Sequence, residues 1–261
     1  MQAEERRHRI EEYPQKVEFA SLDELAREVD ASTSTVRRDL TVLEGIGNLR
    51  RTHGGARILS PKSDEFAFAS RDTHQFLEKE AMARVCAGLV GDRQTVIIDA
   101  GTTAFHAARH LEGKRPLIIT NSLPVANLYA SNNMVEVAVS GGVVYPRLGV
   151  LVGPLAVESF SRMHADIAIM SAGGVTMDGI TNSHVLLIGI QQAMMRAAQR
   201  VVFCLDGSKF GRRSMAFLCG FESVTTIVTD ESASGALVGE LRARGTEVLV
   251  AEVAGKREPE A

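Results

Sequence analysis

Seven short apolar segments along residues 95–253 constrain the fold of this 261-residue chain more than any other feature. Stretches with helical spacing separate several of them, for example residues 103–111 and 185–199. Near-continuous apolar strands that alternate with helices predict an α/β fold with a mostly parallel sheet covered by helices on both faces. The segments are TVIID (95–99), LIIT (117–120), VEVAVS (135–140), DIAIMS (166–171), RVVFCLD (200–206), TTIVTD (225–230) and EVLVAEV (247–253).

The first 58 residues follow a different pattern, in which short helical stretches precede a hairpin. Residues 59–76 mix Pro, Ser and charged residues without a sustained period, which is typical of a linker. We therefore predict a small helical domain at 1–58, a linker at 59–76, an α/β domain at 77–256 and a tail at 257–261.

Two of the helical stretches have the features of a helix-turn-helix. Residues 21–29 carry apolar residues at the spacing of an amphipathic helix, and Ser21 and Glu24 have the spacing of a capping box at its start. A short turn leads to Ser32, which can cap a second helix over residues 33–44. The apolar stripe of that second helix consists of Val36, Leu40 and Leu43.

The second helix directs a polar and cationic face away from its apolar stripe. At about 100° per residue, Ser34, Arg38 and Thr41 lie opposite the stripe, and Thr35 and Arg37 flank them. Ser and Thr can donate hydrogen bonds to phosphates or bases, and Arg can bind guanine through two hydrogen bonds. This face therefore suits the major groove of DNA.

A basic hairpin follows, so that residues 1–58 have the order of a winged helix-turn-helix. Two short strands surround His53, Gly54 and Gly55, where glycine permits a positive φ at a hairpin tip. The strands carry Arg50, Arg51 and Arg57. Residues 32–58 hold five arginines against two acidic residues, although the whole chain has a net charge of −3. Phosphate contact needs such a local excess, and the alternative is a helical oligomerisation module with a solvated charged face.

Small and polar residues follow several of the predicted strands and indicate a ligand site. Parallel strands end at one edge of the sheet, where ligands bind. The turn Gly101-Thr102-Thr103 opens a helix, whose N–H groups favour an anion, and Asp99 could accept hydrogen bonds from sugar hydroxyls. The further candidates are Asn121, Ser122, Gly141, Gly142, Gly173, Gly174 and, as a phosphate-binding cation, Lys209. The alternative is a set of ordinary strand-to-helix turns.

The sequence predicts neither a metal site nor a cofactor nor a membrane span. His106 and His110 lie one helical turn apart, but the glutamate of a zinc-protease motif is absent, so we expect surface or satisfied residues. No apolar run reaches the length of a membrane-spanning helix, and the charged amino terminus argues against a secretory signal. We therefore expect a cytoplasmic protein without catalytic residues.

The chain resembles the DeoR family of bacterial transcription regulators. The likeness is carried by TVRRDL (35–40), RTHGGA (51–56), DAGTT (99–103), TNS (120–122), SGG (140–142), GITNS (179–183) and DGSKFGR (206–212), and so covers nearly the whole chain. It implies a winged helix-turn-helix and a C-terminal domain similar to ribose-5-phosphate isomerases and CoA transferases, which typically binds phosphorylated sugars. By the same likeness Gly101, Thr102 and Thr103 contact the phosphate, and Asp99, Asn121, Gly142 and Lys209 lie near the sugar.

The resemblance implies a regulator, expected to repress a carbohydrate operon, that binds double-stranded operator DNA as a homo-oligomer, either a dimer or a tetramer. The alternative is a sugar-phosphate isomerase-like enzyme with an accessory DNA-binding module. The loop SAGGVTMDG (171–179) argues against the enzyme, because it lacks the acidic pair that would follow the glycines in the isomerases.

Three positions depart from the family pattern. Pro14 falls where the first helix of the family usually continues, and the turn VDAS (29–32) lacks a glycine often found there. Gly189 stands where relatives usually carry a glutamate, which predicts an altered ligand or a looser site.

Overall fold

The computed structural model describes residues 6–7, 9–10, 20–46, 49–52, 55–58 and 68–253. The chain forms two compact units, Met1–His74 and Gln75–Ala261. The first is built from short helices and a small antiparallel sheet, and the second from a parallel sheet with helices on both faces. Pro14 lies outside the described residues.

The first unit has the elements of a helix-turn-helix followed by a hairpin. In chain order they are β1 (Ala20–Ser21), α1 (Leu22–Glu28), α2 (Thr33–Ile46), β2 (Leu49–Thr52), β3 (Gly55–Ile58) and α3 (Phe68–Thr73). Strand β3 lies between β1 and β2 and pairs with both in antiparallel fashion. The core is formed by Ile10, Ala20, Leu25, Val29, Val36, Leu40, Leu43 and Ala56, which confirms the apolar stripe of the second helix.

Capping interactions fix both helix starts at the predicted residues. Ser21 Oγ accepts a hydrogen bond from the Glu24 N–H at 3.2 Å, and Glu24 Oε2 accepts one from the Ser21 N–H at 2.8 Å. Ser32 Oγ accepts from the Thr35 N–H at 3.2 Å. In the turn between the helices Asp30 has a φ of 45°, a conformation that favours glycine but that Asp tolerates. Asp30 therefore adopts the positive φ that a glycine would otherwise provide in this turn.

The second unit contains the predicted alternation of strands and helices. Its elements are α4 (Phe76–Gly88), β4 (Thr95–Ile98), α5 (Thr102–Arg109), β5 (Leu117–Thr120), α6 (Leu123–Tyr129), β6 (Glu136–Val139), β7 (Val143–Tyr145), β8 (Val150–Val152), α7 (Pro154–Ser161), β9 (Ala165–Met170), β10 (Gly174–Thr176), β11 (Gly179–Asn182), α8 (Val185–Ala197), β12 (Ala198–Cys204), β13 (Ala216–Cys219), β14 (Thr226–Asp230), α9 (Gly235–Ala243) and β15 (Glu247–Ala251).

All seven predicted strands lie in one parallel sheet, in the order β15-β14-β12-β9-β4-β5-β6. Alternate residues of each strand face opposite layers of helices: in β4, Val96 and Ile98 pack with α4, α5 and α6, and Ile97 packs with α7, α8 and α9. Burial on both faces is the reason that the strands read as continuous apolar runs. The predicted α/β fold class is confirmed.

The order of the strands reverses between β4 and β9. From β4 the chain continues to β5 and β6 on one side, whereas β9, β12, β14 and β15 follow one another on the other side. In an open parallel sheet this reversal leaves a crevice beyond the carboxyl ends of the two strands, and ligands bind there. Asp99 follows β4 directly and Ser171 follows β9 directly.

Some elements are absent from the sequence prediction. The hairpin of β7 and β8 and the three-stranded sheet β10-β11-β13 arise from segments that were interpreted as turns or left unassigned. Helix α3 lies inside the predicted linker 59–76, and helix α4 begins at its last residue. The short strands have only three or four residues each, which weakens any periodic signal.

Candidate functional site

Helix α2 presents the cationic face that the sequence predicts. Arg37 and Arg38 are exposed, and neither side chain has a partner in the part of the chain that the structure describes. The hydroxyls of Ser34 and Thr35 lie 2.8 and 2.9 Å from Ser32 Oγ, and Thr41 Oγ1 donates to the Arg37 carbonyl at 2.9 Å. The guanidinium groups of Arg37 and Arg38 are therefore available on this face to bind an anion.

Asp39 on the same helix is 2% exposed and points away from this face. Its carboxylate accepts hydrogen bonds from Arg6 Nε at 2.6 Å and from Arg7 Nε at 3.1 Å. Because two arginines pair with Asp39, its charge offsets less of the positive charge of Arg37 and Arg38 than a residue count suggests. No local sequence signal indicates this contact, since the partners lie 32 and 33 residues away.

The backbone register of the hairpin places Arg50 directly opposite Arg57 and Arg51 opposite Ala56. His53 and Gly54 lie outside the described residues. Gly55 is buried, and a Cβ added to it would lie 2.1 Å from the Ala20 carbonyl oxygen. Its φ is not in the left-handed region, so the close approach of β1 requires this glycine, and the expected positive φ is wrong for Gly55.

Asp99 lies at the centre of the candidate ligand site and is 2% exposed. Its Oδ2 accepts three hydrogen bonds: from the Ser171 N–H at 3.0 Å, from Ser171 Oγ at 2.8 Å and from Gln191 Nε2 at 2.8 Å. The strand ends of β4 and β9 are thus joined by a carboxylate across the crevice. Asp99 is predicted to bind sugar hydroxyls, but its Oδ2 already accepts three hydrogen bonds from the protein itself.

Gly101 is the N-cap of helix α5, and no side chain caps this helix. A Cβ at Gly101 would lie 1.8 Å from Ser171 Oγ, so only glycine allows the turn to approach β9 so closely. Thr102 and Thr103 occupy the first turn of the helix and are buried, at 5% and 6% exposure. Their hydroxyls have no hydrogen-bond partner among the described residues, which leaves them available beside the free N–H groups.

Asn121 follows β5, next to β4, and is 1% exposed. Its Nδ2 donates to the Leu151 carbonyl at 3.0 Å, but its buried Oδ1 has no partner. A buried acceptor without a donor costs about 1–3 kcal/mol, so an orphan of this kind calls for a ligand or a water. Ser122, by contrast, caps α6, because its Oγ accepts from the Val125 N–H at 3.4 Å.

The other four glycines of the predicted site, besides Gly101, serve local geometry. Gly142 has a φ of 131° at the start of β7, and the Gly141 N–H donates to Ser159 Oγ at 3.0 Å. Gly173 and Gly174 precede and open β10, and added Cβ atoms there would lie 2.5 Å from Ser214 Oγ and 2.2 Å from the Arg212 carbonyl oxygen. The pair at 141–142 follows β6, the outer strand of the sheet and the second strand from β4, whereas the pair at 173–174 follows β9 beside Ser171.

Lys209 lies in a short 3-10 turn, Gly207–Lys209, after β12. Asp206 caps this turn by accepting from the Ser208 N–H at 3.1 Å. The Lys209 side chain is half-buried and has no partner among the described residues. It follows the strand next to β9 and thus remains a candidate cation for the site.

An apolar cluster covers the turn after β4. Ala100, Leu148, Val150 and Leu187 are buried together, with Tyr145 packed against them. The hairpin β7–β8 is held in place by the Leu151 N–H, which donates to the Asn121 carbonyl at 2.9 Å. This cluster places apolar side chains against the turn after β4, and no local sequence signal predicts it.

Gly189 makes no close contact with the residues of the candidate site. It is exposed on helix α8, and an added Cβ would meet only Val157 Cγ2, at 3.7 Å. The residue of α8 that reaches Asp99 is Gln191, two positions further on. The expectation that Gly189 loosens the site is therefore not supported by its position.

A helix-turn-helix with a hairpin, joined to an α/β unit with polar strand ends at a switch point, defines a DNA-binding regulator with a ligand-sensing domain. The chain belongs to the DeoR family of transcriptional regulators: the DeoR-like helix-turn-helix domain matches residues 6–62, and the DeoR C terminal sensor domain matches residues 74–231. The resemblance inferred from the sequence is confirmed.

Relatives of similar length are named as regulators. The chain is 33% identical over 234 residues to the HTH-type transcriptional regulator GolR of Listeria innocua, covering 89% of this chain and 92% of that protein. It is also 33% identical over 234 residues to the HTH-type transcriptional repressor CsqR of Escherichia coli, covering 89% of each. These names confirm the prediction of a transcriptional regulator that is not an enzyme.

Solved structures with a similar arrangement include ribose 5-phosphate isomerase A from Methanocaldococcus jannaschii, at 16% identity and a TM-score of 0.39, over 53% of this chain and 55% of that chain. Translation initiation factor eIF-2B from Pyrococcus horikoshii gives 15% identity and a TM-score of 0.43, over 86% of this chain and 85% of that chain.

No helix within the described ranges is long and apolar enough to span a membrane.

Proposed function

We propose that this protein binds double-stranded operator DNA with helix α2 and the β2–β3 hairpin, and that a phosphorylated sugar bound beyond β4 controls this binding. In the proposal, Arg38 and its neighbours Ser34, Thr35, Arg37 and Thr41 enter the major groove. The hairpin residues Arg50, Arg51, His53, Gly54, Gly55 and Arg57 contact the phosphate backbone. The working division is a DNA-binding domain over 1–58, a linker over 59–76 and a sensor domain over 77–256.

The pairing register of the hairpin supports the role of its arginines. Like charges on directly opposed residues destabilise a hairpin, and the backbone register pairs Arg50 with Arg57. A polyanion would relieve this repulsion, because phosphate contacts neutralise cationic side chains and release counterions. The hairpin is thus suited to the DNA backbone.

The observation that carries the effector proposal is the orphaned Oδ1 of Asn121, which follows the strand next to the one that leads into the uncapped start of helix α5. The helix start supplies N–H groups and the hydroxyls of Thr102 and Thr103 for an anion. Asn121 supplies an acceptor for a ligand hydroxyl. A phosphorylated sugar carries both groups, and Lys209 adds a positive charge from a nearby strand end.

The relatives support a carbohydrate operon as the target. The L-fucose operon activator of Haemophilus influenzae is 30% identical over 214 residues, covering 82% of this chain and 86% of that protein. The Escherichia coli relative is named a repressor. We propose repression for this chain, in the cytoplasm, by a dimer or tetramer whose sensor units form much of the interface, because paired half-sites on DNA require an even number of recognition helices.

Calorimetry with a panel of sugar phosphates, together with operator gel shifts, tests the proposal. Lys209→Ala should weaken binding of the best sugar phosphate by roughly tenfold to a hundredfold, because it removes a charged contact. Thr102→Val should weaken it as well, and both variants should bind operator normally without effector. Arg162→Ala, a change at the exposed arginine that follows α7, serves as the control. The effector site is wrong if no sugar phosphate binds, or if both variants bind the best ligand as the wild type does.

A further inference from the structure

Gln191 of helix α8 joins the ends of three strands through one buried side chain, which is 1% exposed. Its Nε2 donates to Asp99 Oδ2 at 2.8 Å and to the Ser171 carbonyl at 2.9 Å. Its Oε1 accepts from Asn182 Nδ2 at 2.8 Å, and Asn182 Oδ1 accepts from the His184 N–H at 3.2 Å. The Gln191 amide thus uses both hydrogens and its oxygen within the protein.

The direction of this hydrogen-bond chain is fixed by its ends. A carboxylate and a carbonyl can only accept, so the amino group of Gln191 must face Asp99 and Ser171. Its oxygen then faces Asn182, which must donate to it. At the far end the His184 N–H can only donate, which gives the same orientation for Asn182. Neither amide can be reversed without leaving buried groups unpaired.

Asp99 is left with one oxygen and its full charge for a ligand. All three donors contact Oδ2, and Oδ1 receives no hydrogen bond from the described residues. No lysine or arginine among them pairs with this carboxylate either. The Gln191 amide is neutral, so its hydrogen bond leaves the negative charge of Asp99 uncompensated, whereas a lysine or arginine in its place would neutralise that charge.

We infer that Gln191 is a positioning residue that sets the selectivity of the site, an inference that rests on the proposed function. It saturates Oδ2 and holds Asp99 so that the unneutralised Oδ1 binds hydroxyl groups of the effector. Together with the orphaned Oδ1 of Asn121, the site then offers two acceptors for ligand hydroxyl groups. The ligand class is a sugar phosphate rich in free hydroxyls, and the site discriminates against deoxy analogues.

The discrimination is measured with pairs of probes that differ by one hydroxyl. Ribose 5-phosphate is compared with 2-deoxyribose 5-phosphate, and glucose 6-phosphate with 2-deoxyglucose 6-phosphate, by calorimetry on the full chain, with inorganic phosphate as a probe of the anion site alone. The wild type should bind the hydroxylated member of at least one pair about tenfold more tightly, because a hydrogen bond to a charged group is lost in the deoxy analogue.

Gln191→Met should bring this ratio close to one while leaving the affinity for inorganic phosphate unchanged. The matched control is Gln192→Met on the same helix, since Gln192 donates to the Leu218 carbonyl at 3.0 Å and does not contact Asp99. The control should keep the wild-type ratio. A ratio that Gln191→Met leaves unchanged, or a wild-type ratio near one for both pairs, would overturn the role of Gln191. If the wild type binds neither inorganic phosphate nor any sugar phosphate, the proposed function itself fails.

Gln191→Glu provides a second variant of nearly the same shape in case Gln191→Met does not fold. The new carboxyl lies against Asp99, and two adjacent carboxyls share a proton that is released at raised pH. The affinity ratio of the hydroxylated to the deoxy probe should therefore fall for this variant as the pH rises from 5 to 8. Titration of the phosphate affects both members of a pair equally and cancels from the ratio. A ratio independent of pH in Gln191→Glu would count against the inference.

Discussion

Glu80 Oε1 lies 2.5 Å from Nδ1 of the fully buried His106, and this contact ties helix α4 to helix α5. The other carboxylate oxygen lies 3.0 Å from His110 Nε2. The two histidines, one helical turn apart, are thus satisfied by a single glutamate. Helix α5 begins at the proposed phosphate site, so this contact anchors the helix that carries it.

Acid should therefore weaken the second unit through Glu80. Burial raises the pKa of Glu80, but the hydrogen bonds and charges of His106 and His110 outweigh it, so that the pKa is lowered overall. A lowered carboxyl pKa stabilises the fold above the unfolded value of about 4.3, and this stability is lost as the pH falls through the folded value. Glu80→Gln should cost about 2 kcal/mol at pH 6 and progressively less below about pH 4.

Urea unfolding of the wild type and the variant between pH 3 and 7 measures this difference. Glu158→Gln is the control, since Glu158 pairs with Arg162 on the exposed surface and such pairs contribute little. An equal cost for Glu80→Gln at every pH would show that the carboxylate charge is not involved.

Arg38→Ala should reduce specific operator affinity by about 1–3 kcal/mol, because an exposed arginine without an internal partner is free to bind a base. Gel shifts with operator and with unrelated DNA separate this loss from a general one. Arg84→Ala, at an exposed arginine of helix α4, should change neither affinity. Unchanged operator binding by a folded Arg38→Ala protein would exclude a base contact.

Arg57→Ala should lower the slope of log affinity against log salt concentration by about one, since one phosphate contact is removed. Sequence preference should stay as it is in the wild type. The measurement is operator affinity over a range of salt concentrations, with Arg38→Ala as the comparison variant that alters preference. A change in preference without a change in slope would assign the hairpin to base contacts.

Gly101→Ala should destabilise the second unit by about 1–3 kcal/mol and weaken sugar-phosphate binding, because the new methyl group would lie 1.8 Å from Ser171 Oγ. Moving Ser171 breaks its two hydrogen bonds to Asp99. Gly88→Ala is the matched control, since nothing lies within 4 Å of a Cβ added there. Thermal unfolding and calorimetry report the two effects, and equal stability of both variants would contradict the crowding at Gly101.

Gly189→Glu should leave effector affinity unchanged and stabilise the protein by about 0.5–1 kcal/mol, because glycine in an exposed helix position is unfavourable. Gly239→Glu, at an exposed and uncrowded position of α9, is the matched control and should behave alike. If Gly189→Glu alone alters sugar-phosphate binding, position 189 affects the site after all.

The sequence predicted the elements whose signal is local. The seven strands of the parallel sheet and the capping box at Ser21 follow from burial on both faces and from a fixed three-residue spacing. The turn after β4 was identified for the same reason, since small residues opening a helix form a continuous motif.

What the sequence could not show depends on distant partners. Gln191 looks like any polar residue of an amphipathic helix, and its contact with Asp99 spans 92 residues. The pairing of Asp39 with Arg6 spans 33. The requirement for Gly55 comes from the backbone of β1, so it was attributed to the turn beside it in sequence instead of to the strand beside it in space.

The hydrogen bonds between Asp99 and Ser171 also bear on the order in which the protein folds. These residues are 72 positions apart, and Gln191 lies a further 20 residues along the chain. The ligand site is therefore completed only after β9 and α8 have docked on the strands that precede them, since contacts of long sequence separation form late. An effector that recognises only the finished site acts on the unfolding equilibrium as well as on DNA. At a hundred times its dissociation constant it would add about 2.7 kcal/mol of stability. Cells that contain the sugar phosphate would then hold a longer-lived protein, and the abundance of the regulator would itself follow the metabolite.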